Sequence, residues 1–186
     1  LSLTDTPDGS LSIGTSDLDD MIVLDRVATS DRVSIQSYGG DDQIIINQLE
    51  TDDFYTSTRA GNDHVEIFSS RVNEFELFAG DGFDQISIDR LDVNYDFRLF
   101  ANDGGSDIQL DHLQVGHDLQ VGATDGDDFV HINDTTAGNQ LGIWTGNGND
   151  HQEIHDSSSG GELSLSGGHD HDRLLVRNCQ AGTRFL

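Results

Sequence analysis

One unit recurs along the whole chain. A polar residue that closes a Gly-, Asp- and Asn-rich tetrad and opens an alternating apolar stretch falls at Asp20, Asp42, Asp63, Asp84, Ser106, Asp128, Asp150 and Asp172. The spacings are 22, 21, 21, 22, 22, 22 and 22 residues. A unit this short cannot bury a core of its own, so neighbouring units must stack and share one. The recurring residue is termed the anchor below, and other positions are counted from it.

Two and four places after the anchor stand Ile22 and Leu24, Ile44 and Ile46, Val65 and Ile67, Ile86 and Ile88, Ile108 and Leu110, Val130 and Ile132, Gln152 and Ile154, Leu174 and Val176. Nine and seven places before it stand Leu11 and Ile13, Val33 and Ile35, Phe54 and Thr56, Phe75 and Leu77, Phe97 and Leu99, Leu119 and Val121, Leu141 and Ile143, Leu163 and Leu165. Both sets have period two, the signature of short strands with one buried face. Only Gln152 and Thr56 break the apolar pattern, and Gln152 is expected to find a hydrogen-bond partner in the lumen. Val27, Leu49, Leu91, Leu113 and Cys179, seven places after the anchor, mark a third inward corner. Cys179 therefore reads as a core side chain. As the single cysteine it excludes an internal disulfide framework and a cysteine-rich zinc site.

Two or three short strands per unit, each beside its counterpart in the next, define an all-β parallel solenoid. Residues 1–186 read as one domain of about eight coils, roughly 38 Å long at about 4.8 Å per coil. The coil length resembles that of right-handed parallel β-helix proteins of the secreted and bacterial-surface type, which implies a right-handed parallel β-helix here. Such a rod needs few inward residues per coil, and this accommodates a hydrophobic content of only 34%.

The charge is as uneven as the repeat is regular. Aspartate supplies 29 of the 35 acidic residues, there are nine arginines and no lysine, and the formal net charge is −26. That sign repels phosphates and argues against nucleic acid and anionic membranes as partners. No apolar run approaches the length needed to insert in a membrane.

The tetrads include Asp81-Gly82-Phe83-Asp84, Asp103-Gly104-Gly105-Ser106, Asp125-Gly126-Asp127-Asp128 and Asn147-Gly148-Asn149-Asp150. Stacking places their carboxylates about 5 Å apart in successive coils, a self-repelling column. Gly80-Asp81-Gly82-Phe83-Asp84 and Gly146-Asn147-Gly148-Asn149-Asp150 resemble the calcium-binding repeats of RTX (haemolysin-type) proteins, at one turn per coil. The resemblance implies Ca²⁺ held by Asp81, Asp84, Asp103, Asp125, Asp128, Asn147 and Asp150. Read from the residues alone, the same tetrads are hydrogen-bonded corners, with Gly for the positive φ and Asp or Asn capping the backbone.

Odd positions after the anchor face outward. There His131 neighbours Glu153, with His151 and His155 flanking Glu153 along its own strand. Alternate residues on a strand lie about 6.6 Å apart, so His151, Glu153 and His155 do not close on one ion; a pair such as His131 with Glu153 or His151 is the transition-metal candidate. Phe78, Phe100, Gly122 and Trp144 form another outward row, suited to stacking on sugar rings or to packing under a turn. The architecture also resembles that of polysaccharide lyases and glycoside hydrolases built on β-helices, whose working face corresponds to Asp107, Asp111, His131, His151, Glu153, Arg173 and Arg177. No catalytic signature accompanies these residues, and a shared fold does not establish chemistry. The expectation is a non-enzymatic, extracellular or cell-surface structural and adhesive solenoid, with a carbohydrate-active enzyme or sugar-binding module as the alternative. Leu1 and Leu3 fit the second and fourth places after a missing anchor, and Phe185 the ninth place before another. The expected partners are accordingly further coils of the same chain or end-to-end copies, with polysaccharide as a further candidate.

Overall fold

The structure is a computed structural model that describes residues 2–3 and 9–186. No helix occurs among the described residues, and the strands join in one continuous parallel sheet that winds into a β-solenoid of about eight coils. A coil comprises an anchor strand, a short strand and a return strand, the short one reduced to a single bridge at Ala28 in the first coil. In the coil that opens at Ser106 these are Ser106–Asp111, Gln114–Val115 and Leu119–Gly122.

Register follows the repeat. Ile108 pairs with Ile86 on one side and Val130 on the other, and Leu119 lies between Phe97 and Leu141. Both inward rows are buried through the internal coils, and Phe54, Phe75 and Phe97 stack face to face at 5.2 and 4.6 Å. The exceptions lie at the two ends, where Leu11 and Leu165 are partly buried and Leu174 and Val176 are 44% and 40% exposed, with no further coil among the described residues to cover them. Leu3 pairs with Leu24, as its place in the repeat predicts, while Leu1 lies outside the described residues. Gln152 is fully buried; its amide nitrogen donates to Thr145 Oγ1 at 3.0 Å and to the Ser166 carbonyl at 2.8 Å. Cys179 is partly buried and packs against the core.

The one-residue variation in period is confined to one corner. In the two 21-residue coils the strand runs on through the turn between short and return strands, as Glu50–Ser57 and within His64–Gly80. In the 22-residue coil that opens at Asp84 the strand stops at Val93 and restarts at Phe97. The extra residue is thus absorbed where the chain faces water, and the core rows keep their phase.

Candidate functional site

The turn before each anchor is built by stacking. Gly61 has φ of +138° and Gly148 of +142°, and a Cβ on either would lie 1.9 Å from a carbonyl oxygen of the preceding coil. Glycine is required there twice over, by the left-handed conformation and by the close approach of two backbones. A turn this tight leaves backbone N–H groups that the sheet ladder does not reach, and aspartate supplies the acceptors. The N–H of Asp20 donates to Asp42 Oδ1 at 2.8 Å, Asp42 to Asp63 at 2.8 Å, Asp63 to Asp84 at 3.0 Å, Asp128 to Asp150 at 2.9 Å and Asp150 to Asp172 at 3.1 Å.

A second ladder, one residue earlier, runs the opposite way. The N–H of Asp41 donates to Asp19 Oδ1 at 3.0 Å, Asn62 to Asp41 at 2.8 Å, Phe83 to Asn62 at 2.9 Å and Asn149 to Asp127 at 2.8 Å. Each short side chain stands in for a carbonyl of the neighbouring coil. This role accounts for the preference for aspartate over glutamate, whose extra methylene overshoots the span.

The anchor carboxylates are deeply placed. Asp63 and Asp84 are 1% exposed and Asp42, Asp128 and Asp150 are 2% exposed; in each, Oδ2 is buried without a hydrogen-bond partner. Loss of hydration raises the pKa of Asp42 and Asp63 and pushes Asp84 and Asp128 up to about 7, despite the hydrogen bonds each accepts. Asp20, half-exposed at the edge of the column, goes the other way, lowered first by the backbone N–H of Ser16. Ser106 interrupts the column. Its hydroxyl donates to Asp128 Oδ1 at 2.7 Å, and the N–H of Asp84 turns instead to the Gly105 carbonyl at 3.4 Å.

The seven residues suggested for calcium fall in two rows. Asp84, Asp128 and Asp150 belong to the buried anchor column. Asp81, Asp103, Asp125 and Asn147 form an exposed outer row, in which Asp125 bridges Asp103 and Asn147 through the backbone, and the Asn147 amide donates to Asp125. Among the described Asp, Glu, His and Cys residues, a group of three with ligand atoms all within 4.8 Å of one another is formed by His131, Glu153 and His155, and not by these aspartates.

These three sit on adjacent anchor strands, Asp128–Asn133 and His151–His155, with His131 directly opposite Glu153. His131 Nδ1 is 3.7 Å and His155 Nε2 3.5 Å from the same oxygen, Glu153 Oε2. His151 Nε2 takes the other oxygen at 3.0 Å. Burial alone would raise the Glu153 carboxyl, but the hydrogen bonds and charge of His151 and then His155 outweigh it and hold the group below its usual range. Glu153 is therefore a carboxylate at neutral pH and is unsuited to protonating a leaving group. The sequence spacing pairs His131 with Glu153 but leaves out His155, whose ring turns back along its own strand to the same carboxylate oxygen.

The aromatic row is continuous. Tyr55, Phe78 and Phe100 follow one another at 5.8 and 5.4 Å, and Trp144 reaches Phe100 at 5.8 Å by lying across Gly122, where a Cβ would meet its ring at 2.5 Å. Trp144 is 37% exposed. Comparison with known proteins brings no further identification: no family model, no curated protein and no solved structure matches the chain.

Proposed function

We propose that the chain is a non-enzymatic extracellular structural rod of the bacterial-surface type, an adhesive or spacer solenoid stiffened by Ca²⁺ at its stacked turns. The observation that carries this reading is the ladder of turn carboxylates. Each coil's tetrad is hydrogen-bonded to the next, so the side of the rod is a single axial seam, and its buried Oδ2 atoms have no partner. A column of like charges without any lysine to offset it is relieved by a divalent cation. Asp81, Asp84, Asp103, Asp125, Asp128, Asn147 and Asp150 are the proposed side-chain participants. The extracellular setting rests on the resemblance of the coil and turns to secreted β-helix and RTX proteins. Further coils or copies of the chain are its proposed partners.

Thermal unfolding in millimolar CaCl₂, against MgCl₂ and NaCl at matched ionic strength, tests the calcium reading. A higher Tm in Ca²⁺ that chelator reverses is the expected result. Equal response to all three salts would leave the turns as hydrogen-bonded corners. The aromatic row from Tyr55 to Trp144 supports a second reading, a sugar-binding face. Quenching of Trp144 fluorescence by an oligosaccharide panel distinguishes it, and turnover of any member would favour the enzyme.

A further inference from the structure

We infer that His131, Glu153 and His155 form a binding site for a single divalent transition-metal ion of the zinc type, separate from the aspartate turns. Two imidazole nitrogens and one carboxylate oxygen are a donor set that suits zinc, and hard oxygen-seeking calcium has no use for the nitrogens. The geometry is close to what the ion needs. Ligand atoms around tetrahedral zinc are about 3.3 Å apart, given bonds of about 2.0 to 2.1 Å. Glu153 Oε2 already stands 3.7 Å from His131 Nδ1 and 3.5 Å from His155 Nε2, and all three atoms lie within 4.8 Å of one another. Small side-chain rotations close the set around one ion without moving either strand.

The surroundings hold the ligands in place. His151 Nε2, at 3.0 Å from Glu153 Oε1, orients the carboxylate from the side away from the ion, the part an outer hydrogen bond plays at many metal centres. Phe129 lies parallel to His131 at 6.5 Å and edge-on to His151 at 5.2 Å, an apolar wall beside the donors. One coil beyond, Arg173 and Arg177 are in register with His151 and His155; one coil before, Asp107 and Asp111 are in register with Phe129 and Asn133. Glu153 is the one carboxylate among the three donors and supplies the negative charge at the centre of the site. The fourth position faces solvent and is open to water or to a donor from another molecule.

Isothermal titration of the chelator-treated full chain with ZnCl₂ at pH 7.5, in excess CaCl₂, tests the assignment. The expected result is one zinc per chain, undiminished by calcium and weakened at least tenfold at pH 5.5, where protons compete for the imidazoles. His131→Ala, His155→Ala and Glu153→Gln should each weaken binding at least tenfold while the far-ultraviolet circular dichroism stays unchanged. His151→Ala should weaken it less and keep the 1:1 stoichiometry, and His64→Ala, on a distant coil, should have no effect. No saturable binding by the folded wild-type chain would overturn the inference, as would binding that survives His131→Ala but not His151→Ala. Calcium competition at equal strength would place the zinc on the aspartate turns instead.

Discussion

Asp84→Asn separates the two roles of an anchor carboxylate, acceptor and buried charge. The amide oxygen can still receive the Asp63 N–H now bound at 3.0 Å, while the charge is gone. Folding raises the Asp84 pKa from 3.8 to about 7. The folded chain therefore holds this proton more tightly than the unfolded chain between those values. Stability is then highest at low pH, falls as pH rises toward about 7 and is flat above it. Each pH unit within that window is worth about 1.4 kcal/mol, so Asp84 should cost the wild type about 3 kcal/mol between pH 5 and pH 8. Remaining at pH 5 or above keeps the protein clear of its isoelectric point near 4.1. At pH 5 the variant should lie within about 1 kcal/mol of the wild type, an unpartnered amide N–H replacing an unpartnered acid oxygen. At pH 8 it should be relatively more stable by about 3 kcal/mol. Urea unfolding followed by circular dichroism, with chelator at both pH values, measures the difference, and general charge repulsion cancels between the two proteins. Parallel loss of stability by wild type and variant would show that Asp84 is not held in a dry column.

Two further substitutions probe the same seam. Ser106→Asp fills the gap in the column and offers the Asp84 N–H a carboxylate in place of the 3.4 Å contact with Gly105. It should be near neutral at pH 5 and destabilise by about 2 kcal/mol or more at pH 8, where a third buried charge joins Asp84 and Asp128, as denaturant midpoints at the two pH values will show. Gly61→Ala places a Cβ 1.9 Å from the Gly40 carbonyl at a φ of +138°, and should cost about 3 kcal/mol or more at either pH, read from the same unfolding curves.

The coil was legible because its inward positions are spelled in large apolar residues at period two. Register, strand placement and the burial of Gln152 all followed from that pattern. Two inward rows were not legible. Five places before the anchor, Ser37, Thr58, Ala79, Ala101, Ala123 and Thr145 are buried at a tight corner where only small side chains fit. Nine places after it, Thr29, Thr51, Val72, Val93, Val115, Ala137 and Ser159 are buried in the short strand. Both rows mix polar with apolar residues, and hydrophobic periodicity passes over them. A third hidden row, six places after the anchor, is left-handed in every coil without a glycine, from Arg26 to Asn178. Its residue types vary too widely to announce a positive φ. At the turns, the spacing disclosed the column of aspartates but not its depth, because a carboxylate next to glycines reads as solvated until its coil is covered on both sides.

Removal of one coil is the most direct test of the solenoid itself. Deleting residues 107–128 joins the anchor Ser106 to Phe129, the residue that follows the next anchor, and restores every row in phase. Deleting only residues 107–116 removes ten residues and carries Leu119, Val121, Val130 and Ile132 from inward places to the outward places of Gln109, Asp111, Gln120 and Gly122. Circular dichroism and small-angle scattering on both proteins should show the first as a folded β rod shorter by about 4.8 Å, melting cooperatively at a somewhat lower temperature, and the second as largely unfolded. Equal tolerance of the two deletions, or collapse of the whole-coil variant alone, would contradict a fold built from interchangeable coils.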